Sequence, residues 1–413
     1  MERKVVVTGM GTVNPLGLTV DETWQSAVAG KSGVGPITLF DPSDLGARIA
    51  AEVKGFDPTQ VLETREARRR DRYEQFAAAA VHQAMRQSGL IIDPASAGRV
   101  AVILSSAIGG LAAIENAIHT LTDEGPRRLG PFLIPMIMSN GASGMAAIDT
   151  GARGPSFSVA SACASSADGL GQAWLLLRSG VADAAIAGGA EATITRIGVA
   201  AFDRLGALSH RNEDYERTPS PFDLNRDGLV MGEGAAVLIL ETLEHAQARG
   251  ATVLAELAGY GASADAFHVT APAEDGAGGA AAIRLALQSA EAGPDDVDYI
   301  NAHGTGTKLN DLSETLSVKA ALGERAYEVP ISSTKSMTGH MMGATGALEA
   351  IFCVQAIRTG MLPPTIHLAT PDPECDLDYV PNRARQARVR LALSNAFGFG
   401  GHNAVLAFRS ISL

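Results

Sequence analysis

Residues 163–180 read CASSADGLGQAWLLLRSG, and residues 343–360 read GATGALEAIFCVQAIRTG. The two align without gaps at an offset of 180 residues. Each is a helical run of small and apolar residues ending Arg-Ser/Thr-Gly, with glycine where a left-handed C-terminal cap belongs. Few identities support the match, and alanine-rich helices align easily by chance. The rest of the chain strengthens it. Short apolar runs bounded by glycine recur throughout: KVVVTGMG, VAVILSSAIGG, DAAIAGGAEA, GAAVLILET, VDYINAHGTGT, VPISSTKS and ALSNAFGFGG. Between them lie helical stretches such as YEQFAAAAVHQAMRQSGL and AAIRLALQSAEAG. Strands alternating with helices predict parallel sheets covered by helices. Together these features predict an α/β protein built from a duplicated βα unit. Its halves, residues 1–250 and 251–413, join near residues 245–255. No Pro- or Ser-rich linker separates them, so one compact body is expected.

Bulk properties exclude several classes. The chain has 413 residues, 46% hydrophobic and 19% charged, with 45 glycines, enough for a large core with many tight turns. A net charge of −12 argues against a nucleic-acid partner. No apolar run is long enough to span a bilayer, and Met1-Glu-Arg-Lys-Val-Val-Val-Thr lacks a signal-peptide core. Three cysteines (Cys163, Cys353 and Cys375) sit at irregular spacing with no CxxC and no HExxH. That fits a reducing cytoplasm, with neither a disulfide framework nor a metal signature. Only six of the 33 basic residues are lysines, so Lys335 within SSTKSMTGH stands out.

Cys163 admits two readings. Free cysteine often packs as a small hydrophobe. Yet this one follows the strand-like run SFSVASA and opens the helix, where unpaired backbone N–H groups favour thiolate. Two histidines occupy comparable places in the second half. His303 ends VDYINAH, and His340 ends STKSMTGH just before the helix that matches the one Cys163 opens. A surface or satisfied core role is the ordinary reading for any one histidine, but two at strand or segment ends beside small residues are harder to dismiss. The GTGT after His303 lacks both GxGxxG spacing and GK[ST], which disfavours nucleotide binding. In VVVTGMGTVNPLG, Asn14 and Pro15 stand where a third glycine and a helix should be, so it reads as a tight turn.

These motifs, taken in order, resemble the β-ketoacyl-acyl-carrier-protein synthases, with local features nearest synthase II. The resemblance rests on SVASACASSADG, NAHGTGTKLND, SSTKSMTGHMMGATG, PFDLNRDGLVMGEGAAVLILE and SNAFGFGGHN, and spans essentially the full chain. It implies a thiolase fold, two βαβαβ halves in a five-layered αβαβα body. It implies a decarboxylative Claisen condensation in which Cys163 carries the acyl group. His303 and His340 would stabilise the enolate of a malonyl thioester, and the N–H groups of Cys163 and Phe399 the tetrahedral intermediate. Lys335 and Glu349 would form a buried ion pair, with Asp311 and Glu314 bracing the His303 loop. Ile108 and Phe202 match positions lining the acyl pocket, and Phe399 its gate. Thr270, Thr305 and Thr307 match contacts to the phosphopantetheine arm of acyl carrier protein, with no resident cofactor or metal.

The run TREARRRDRYEQF holds Arg65, Arg68, Arg69, Arg70 and Arg72. As one helix, 65, 68, 69 and 72 would share a face. A solvated charged face is the default reading, but in a chain of −12 the cluster suits an acidic partner. Arg65, Arg68 and Arg69 match the docking positions for acyl carrier protein. A homodimer follows from the resemblance alone.

Two departures from the family pattern stand out: Ser161-Ala-Cys-Ala-Ser-Ser166 replaces Thr-Ala-Cys-Ala-Thr-Gly, and His402 replaces the threonine of GFGGTN. The alternatives are a coenzyme-A thiolase, a polyketide-type synthase and a non-catalytic chain-length factor. No second cysteine sits in a thiolase-like motif, and the presence of Cys163 argues against the last.

Overall fold

Ten strands carry the architecture. In the computed structural model, which describes residues 3–411, they are β1 (Val5–Val13), β2 (Val100–Ser105), β3 (Ser156–Phe157), β4 (Ala184–Glu191) and β5 (Gly234–Thr242), then β6 (Ala255–Ala264), β7 (Tyr299–Asn301), β8 (Ile331–Ser332), β9 (Leu391–Gly398) and β10 (His402–Arg409). Their spatial order is β8-β7-β9-β10-β6-β1-β5-β4-β2-β3. Read outward from the β6/β1 junction, both arms run first, fifth, fourth, second, third in chain order. The senses match as well. In each arm the two inner pairings are antiparallel and the two outer ones parallel. The arms meet through a short ladder, Val6 opposite Glu256 and Val7 opposite Ala255.

The sheet is therefore mixed, where strand–helix alternation predicts parallel pairing. The reason is local. Only Phe399–Gly401 separate β9 from β10, too few residues for the crossover that parallel strands require.

Five helices complete the layers: α1 (Arg72–Ser88), α2 (Ser165–Arg178), α3 (Ala277–Ser289), α4 (Lys308–Leu322) and α5 (Thr345–Thr359). Strand β5 shows how the layers form. Ala236, Leu238 and Leu240 face one cluster with Leu170 and Leu177 of α2 and Ile351 and Phe352 of α5. Ala235, Val237 and Ile239 face another with Phe76 and Ala80 of α1. On the far side, Ile283 of α3 and Val318 of α4 pack with Ile300, Leu393 and Val405. A strand buried on both faces needs apolar residues at every position, which is why GAAVLILET shows no polar alternation. The result is helix, sheet, helix, sheet, helix, with α2 and α5 in the middle.

Residues 163–180 and 343–360 occupy equivalent places. Each helix is preceded by a 3-10 turn, Ala162–Ala164 or Met342–Ala344, so α2 begins at Ser165 rather than at Cys163. The first residue of each turn has positive φ, 50° at Ala162 and 44° at Met342. The offset of 180 residues thus holds down to backbone conformation. Among the described residues no helix is long and apolar enough to cross a membrane.

The close seating of α1 on β1 depends on glycine. A Cβ at Gly11 would lie 2.0 Å from the Ala80 carbonyl oxygen. Gly11→Ala is expected to lower unfolding free energy by about 1–3 kcal/mol; an unchanged urea midpoint contradicts that.

Candidate active site

The turn that carries Cys163 is built from small residues. Cys163 is buried, and a Cβ added at Gly398 would sit 3.0 Å from its backbone nitrogen. That proximity carries the Phe399 N–H to the thiol, where it and the Cys163 N–H both favour thiolate. Burial outweighs them. It pushes the thiol up to about 11, with the Phe399 N–H and Lys335 opposing. The expectation of a thiol acidified by its helix is thus corrected: the sulfur is buried, and desolvation exceeds the helix's partial charge.

His303 follows β7, and His340 precedes the turn into α5. Their rings are 5.4 Å apart, edge to face at 84°. One ligand atom from each, with Cys163 Sγ, forms a set in which all atoms lie within 4.8 Å of one another. Burial lowers both imidazole pKa values well below 6.5; Lys335 adds to this, and for His303 so does His340. Both rings are therefore neutral at physiological pH. His340 Nδ1 lies 3.1 Å from the Thr345 hydroxyl. With Nδ1 accepting from that hydroxyl, the ring proton sits on Nε2, which has no partner among the described residues. His303 Nδ1 is likewise unpartnered. Sulfur with two imidazoles is also a donor set that zinc accepts. The residues able to hold a metal here are the same ones suited to thioester chemistry.

Lys335 is fully buried. Its Nζ donates to Glu349 Oε1 at 2.6 Å and to the His303 carbonyl at 2.5 Å. Burial drives the Glu349 carboxyl upward, and the ammonium opposes it. Glu314 clamps the His303 loop by accepting from the N–H groups of His303 at 2.8 Å and Gly304 at 2.7 Å. Asp311 accepts from Phe222 N–H at 2.9 Å and Gly306 N–H at 3.2 Å, and pairs with buried Arg226 at 3.4 Å.

Cys163, His303 and His340 lie in a cavity of about 400 Å³, which Phe397 and Phe399 also line. Phe202, Thr270, Thr305 and Thr307 line it too. The Thr305 and Thr307 hydroxyls are 2.8 Å apart. Ile108 is outside this set. It is 38% exposed, and Glu191 accepts from the N–H groups of Ala107 and Ile108. Side-chain direction in a loop follows from such bonds, not from a motif.

The arginine run also differs from a single helix. A short helix, Thr64–Ala67, ends before α1, whose N-cap is Asp71. Arg65 and Arg68 are exposed; Arg69 pairs with Glu66 at 2.9 Å and stacks over Phe132. Arg70 and Arg72 turn inward, to Asp149 and Glu233 at 2.6 Å each. Arg72 therefore leaves the shared face. Sequence reasoning passed over Thr345, Arg226 and Asn395, which holds Glu314 at 3.1 Å. Each lies inside or beside a quoted motif, but nothing in its residue type marks it.

The chain matches the family model for the β-ketoacyl synthase N-terminal domain over residues 2–246 and that for the C-terminal domain over residues 254–369. The chain belongs to the β-ketoacyl synthase family. Among the β-ketoacyl synthases it is 49% identical over 408 residues to 3-oxoacyl-[acyl-carrier-protein] synthase 2 of Synechocystis sp., covering 99% of this chain and 98% of the relative. Identity to the synthase 2 of Staphylococcus aureus (strain COL) is 46% over 407 residues, 98% of each. A solved β-ketoacyl synthase from Burkholderia phymatum superposes with TM-score 0.93 at 36% identity. A ketosynthase solved in complex with its type II PKS acyl-carrier protein superposes with TM-score 0.92 at 35% identity. Both structural matches cover all of each chain.

Burial-lowered imidazoles give a direct prediction. NMR of protein with ¹³C-labelled histidine, assigned with His303→Gln and His340→Gln, is expected to show two rings that stay neutral from about pH 6 to 8. The neutral form is lost only as pH falls well below the ordinary histidine value. A midpoint near 6.5 for either ring contradicts the assignment.

Proposed function

We propose that this synthase extends fatty acyl chains by two carbons, joining an acyl group held on Cys163 to malonyl carried by acyl carrier protein. The observation that carries the reading is one sulfur and two neutral imidazoles within 4.8 Å at a buried cavity, with the Phe399 N–H on the sulfur. In the first half-reaction Cys163 Sγ bonds to the acyl carbon and the bond to the carrier sulfur breaks. The thiol proton ends on the departing carrier thiol. The N–H groups of Cys163 and Phe399 stabilise the oxyanion, each such donor contributing roughly 3–4 kcal/mol.

In the second, the bond between the malonyl carboxylate and its methylene breaks and CO2 departs. The electron pair becomes an enolate, its oxygen held by His303 and His340 as neutral donors. Neutrality matters here: a donor without net charge stabilises a developing anion without trapping the ground-state carboxylate as an ion pair. The enolate carbon attacks the acyl carbonyl, the bond to Cys163 Sγ breaks, and the released thiolate takes a proton from solvent water. Burial keeps both rings neutral, and Lys335, paired with Glu349 and bonded to the His303 carbonyl, adds to it. Thr270, Thr305 and Thr307 offer hydroxyls to the amides of the phosphopantetheine arm, and Phe202 lines the acyl end. No resident cofactor or metal enters any step.

Relatives at 46–49% identity over nearly the whole chain are named 3-oxoacyl-[acyl-carrier-protein] synthase 2, which favours elongation over polyketide assembly. Exposed Arg65 and Arg68, with Arg69 beside them, suit an acidic carrier docked by steering. A homodimer is supported by the apolar residues exposed between 108 and 148, among them Ile118, Phe132, Ile134 and Ile148, near edge strand β3. Carrier-borne substrates support a cytoplasmic reaction.

Intact-protein mass after mixing with a medium-chain acyl-carrier protein is expected to show an acyl adduct. Peptide mapping should place it on Cys163, and malonyl-carrier should discharge it to a 3-oxoacyl product. Efficient loading from acyl-CoA instead points to thiolase chemistry, and no adduct from folded protein points to a chain-length factor. Arg65→Glu/Arg68→Glu is expected to weaken carrier binding about tenfold at low salt and less at high salt. Unchanged binding by calorimetry moves the docking site elsewhere.

A further inference from the structure

We propose that Asp168 is a positioning residue for acyl transfer, holding the Cys163 turn through Ser161 while Tyr260 holds Asp168 from the opposite half. The inference rests on the reading of Cys163 as nucleophile. Asp168 stands in the first turn of α2. Its Oδ2 accepts from the Ser161 hydroxyl, and its Oδ1 accepts from the Tyr260 hydroxyl at 2.6 Å. Tyr260 belongs to β6, so this carboxylate joins the two halves directly behind the nucleophile. Packing aims the tyrosine: a Cβ at Gly171 would lie 2.5 Å from its ring, and Gln172 also bonds to it.

Ser161 is where position is passed on. Its N–H donates to Ser165 Oγ at 3.0 Å, and its carbonyl accepts from Ala164 N–H at 3.0 Å. Between it and Cys163 lies Ala162 at φ 50°, a conformation that persists only where its surroundings over-determine it. A Cβ at Gly398 would meet the Ser161 carbonyl at 2.9 Å as well as the Cys163 nitrogen. Ser161 therefore sets the separation between the Cys163 N–H and the segment carrying the Phe399 N–H, the two donors proposed for the oxyanion.

The second half provides an internal control. Met342 adopts the same positive φ, yet the position equivalent to Asp168 is Leu348, buried and apolar. The turn forms there without a carboxylate. What Asp168 adds in the first half is placement of the turn, not its existence. The fold should therefore survive its removal while acyl transfer suffers. Malonyl decarboxylation, assigned to His303 and His340, should not.

The experiment measures both half-reactions in the full chain: the rate of acyl loading on Cys163 from acyl-carrier protein, and CO2 release from malonyl-carrier without an acyl donor. Asp168→Ala is expected to slow loading tenfold or more while decarboxylation stays within twofold and the melting temperature holds. Asp168→Asn, whose amide can bond to both hydroxyls, is expected to recover most of the loading rate. Loading within twofold of wild type in folded Asp168→Ala overturns the proposal, as does a parallel fall in both half-reactions. Should Asp168→Ala not fold, Tyr260→Phe removes only the hydroxyl holding the carboxylate. Loading is then expected to fall threefold or more, and unchanged loading overturns the proposal. A wild-type protein that takes up no acyl group overturns the functional reading instead.

Discussion

Everything at the site depends on how closely the N-terminal ends of α2 and α5 approach each other in the middle layer. The Ala347 N–H donates to Ser166 Oγ at 2.9 Å, and a Cβ at Gly346 would stand 2.9 Å from the Ala167 Cβ. A Cβ at Gly343 would meet the Ala107 nitrogen at 2.4 Å. Glu191, fully buried, accepts from the N–H groups of Ala107 and Gly343 and so fastens one half to the other. Small residues at these positions let two backbones approach where ordinary side chains would hold them apart. That approach brings Cys163, just before α2, to His340, just before α5.

Once buried together, these groups acquire their chemistry from desolvation. Low dielectric disfavours charge on every member, so the thiol keeps its proton and the imidazoles stay bare. Burial disfavours charge on Glu349 as well, and the Lys335 ammonium beside it opposes that. The ammonium has both a carboxylate and the His303 carbonyl as acceptors, which offsets part of the cost of taking it from water. In exchange the site gains a fixed positive charge that opposes protonation of either ring. Neutral imidazoles and N–H groups trained on the sulfur suit reactions in which anionic charge appears and vanishes within one turnover.

Much of this was legible in the chain before any coordinates. Gap-free alignment of 163–180 with 343–360, the Arg-Ser/Thr-Gly endings and the motifs around Cys163, His303, Lys335 and His340 are local facts. Local facts survive folding because they reflect turn chemistry and helix ends. Ile108, the arginine run and the thiol were less readable. The Ile108 backbone is held by Glu191, 83 residues away. Arg72 abandons its neighbours because Glu233 waits inside. The thiol's proton affinity balances burial against its own N–H and that of Phe399, in the turn between β9 and β10, 236 residues downstream.

By itself, then, the sequence determined the duplicated α/β plan, the small-residue helix starts and the motifs that hold Cys163, His303 and His340, since each is encoded within a few neighbouring residues. Only the tertiary structure decided which strands pair antiparallel, which charges turn inward and which protonation state each buried group holds. It alone joined Asp168 to Tyr260. Those outcomes are sums over groups distant in the chain, and burial, which sets their sign, exists only once the two halves have closed on each other.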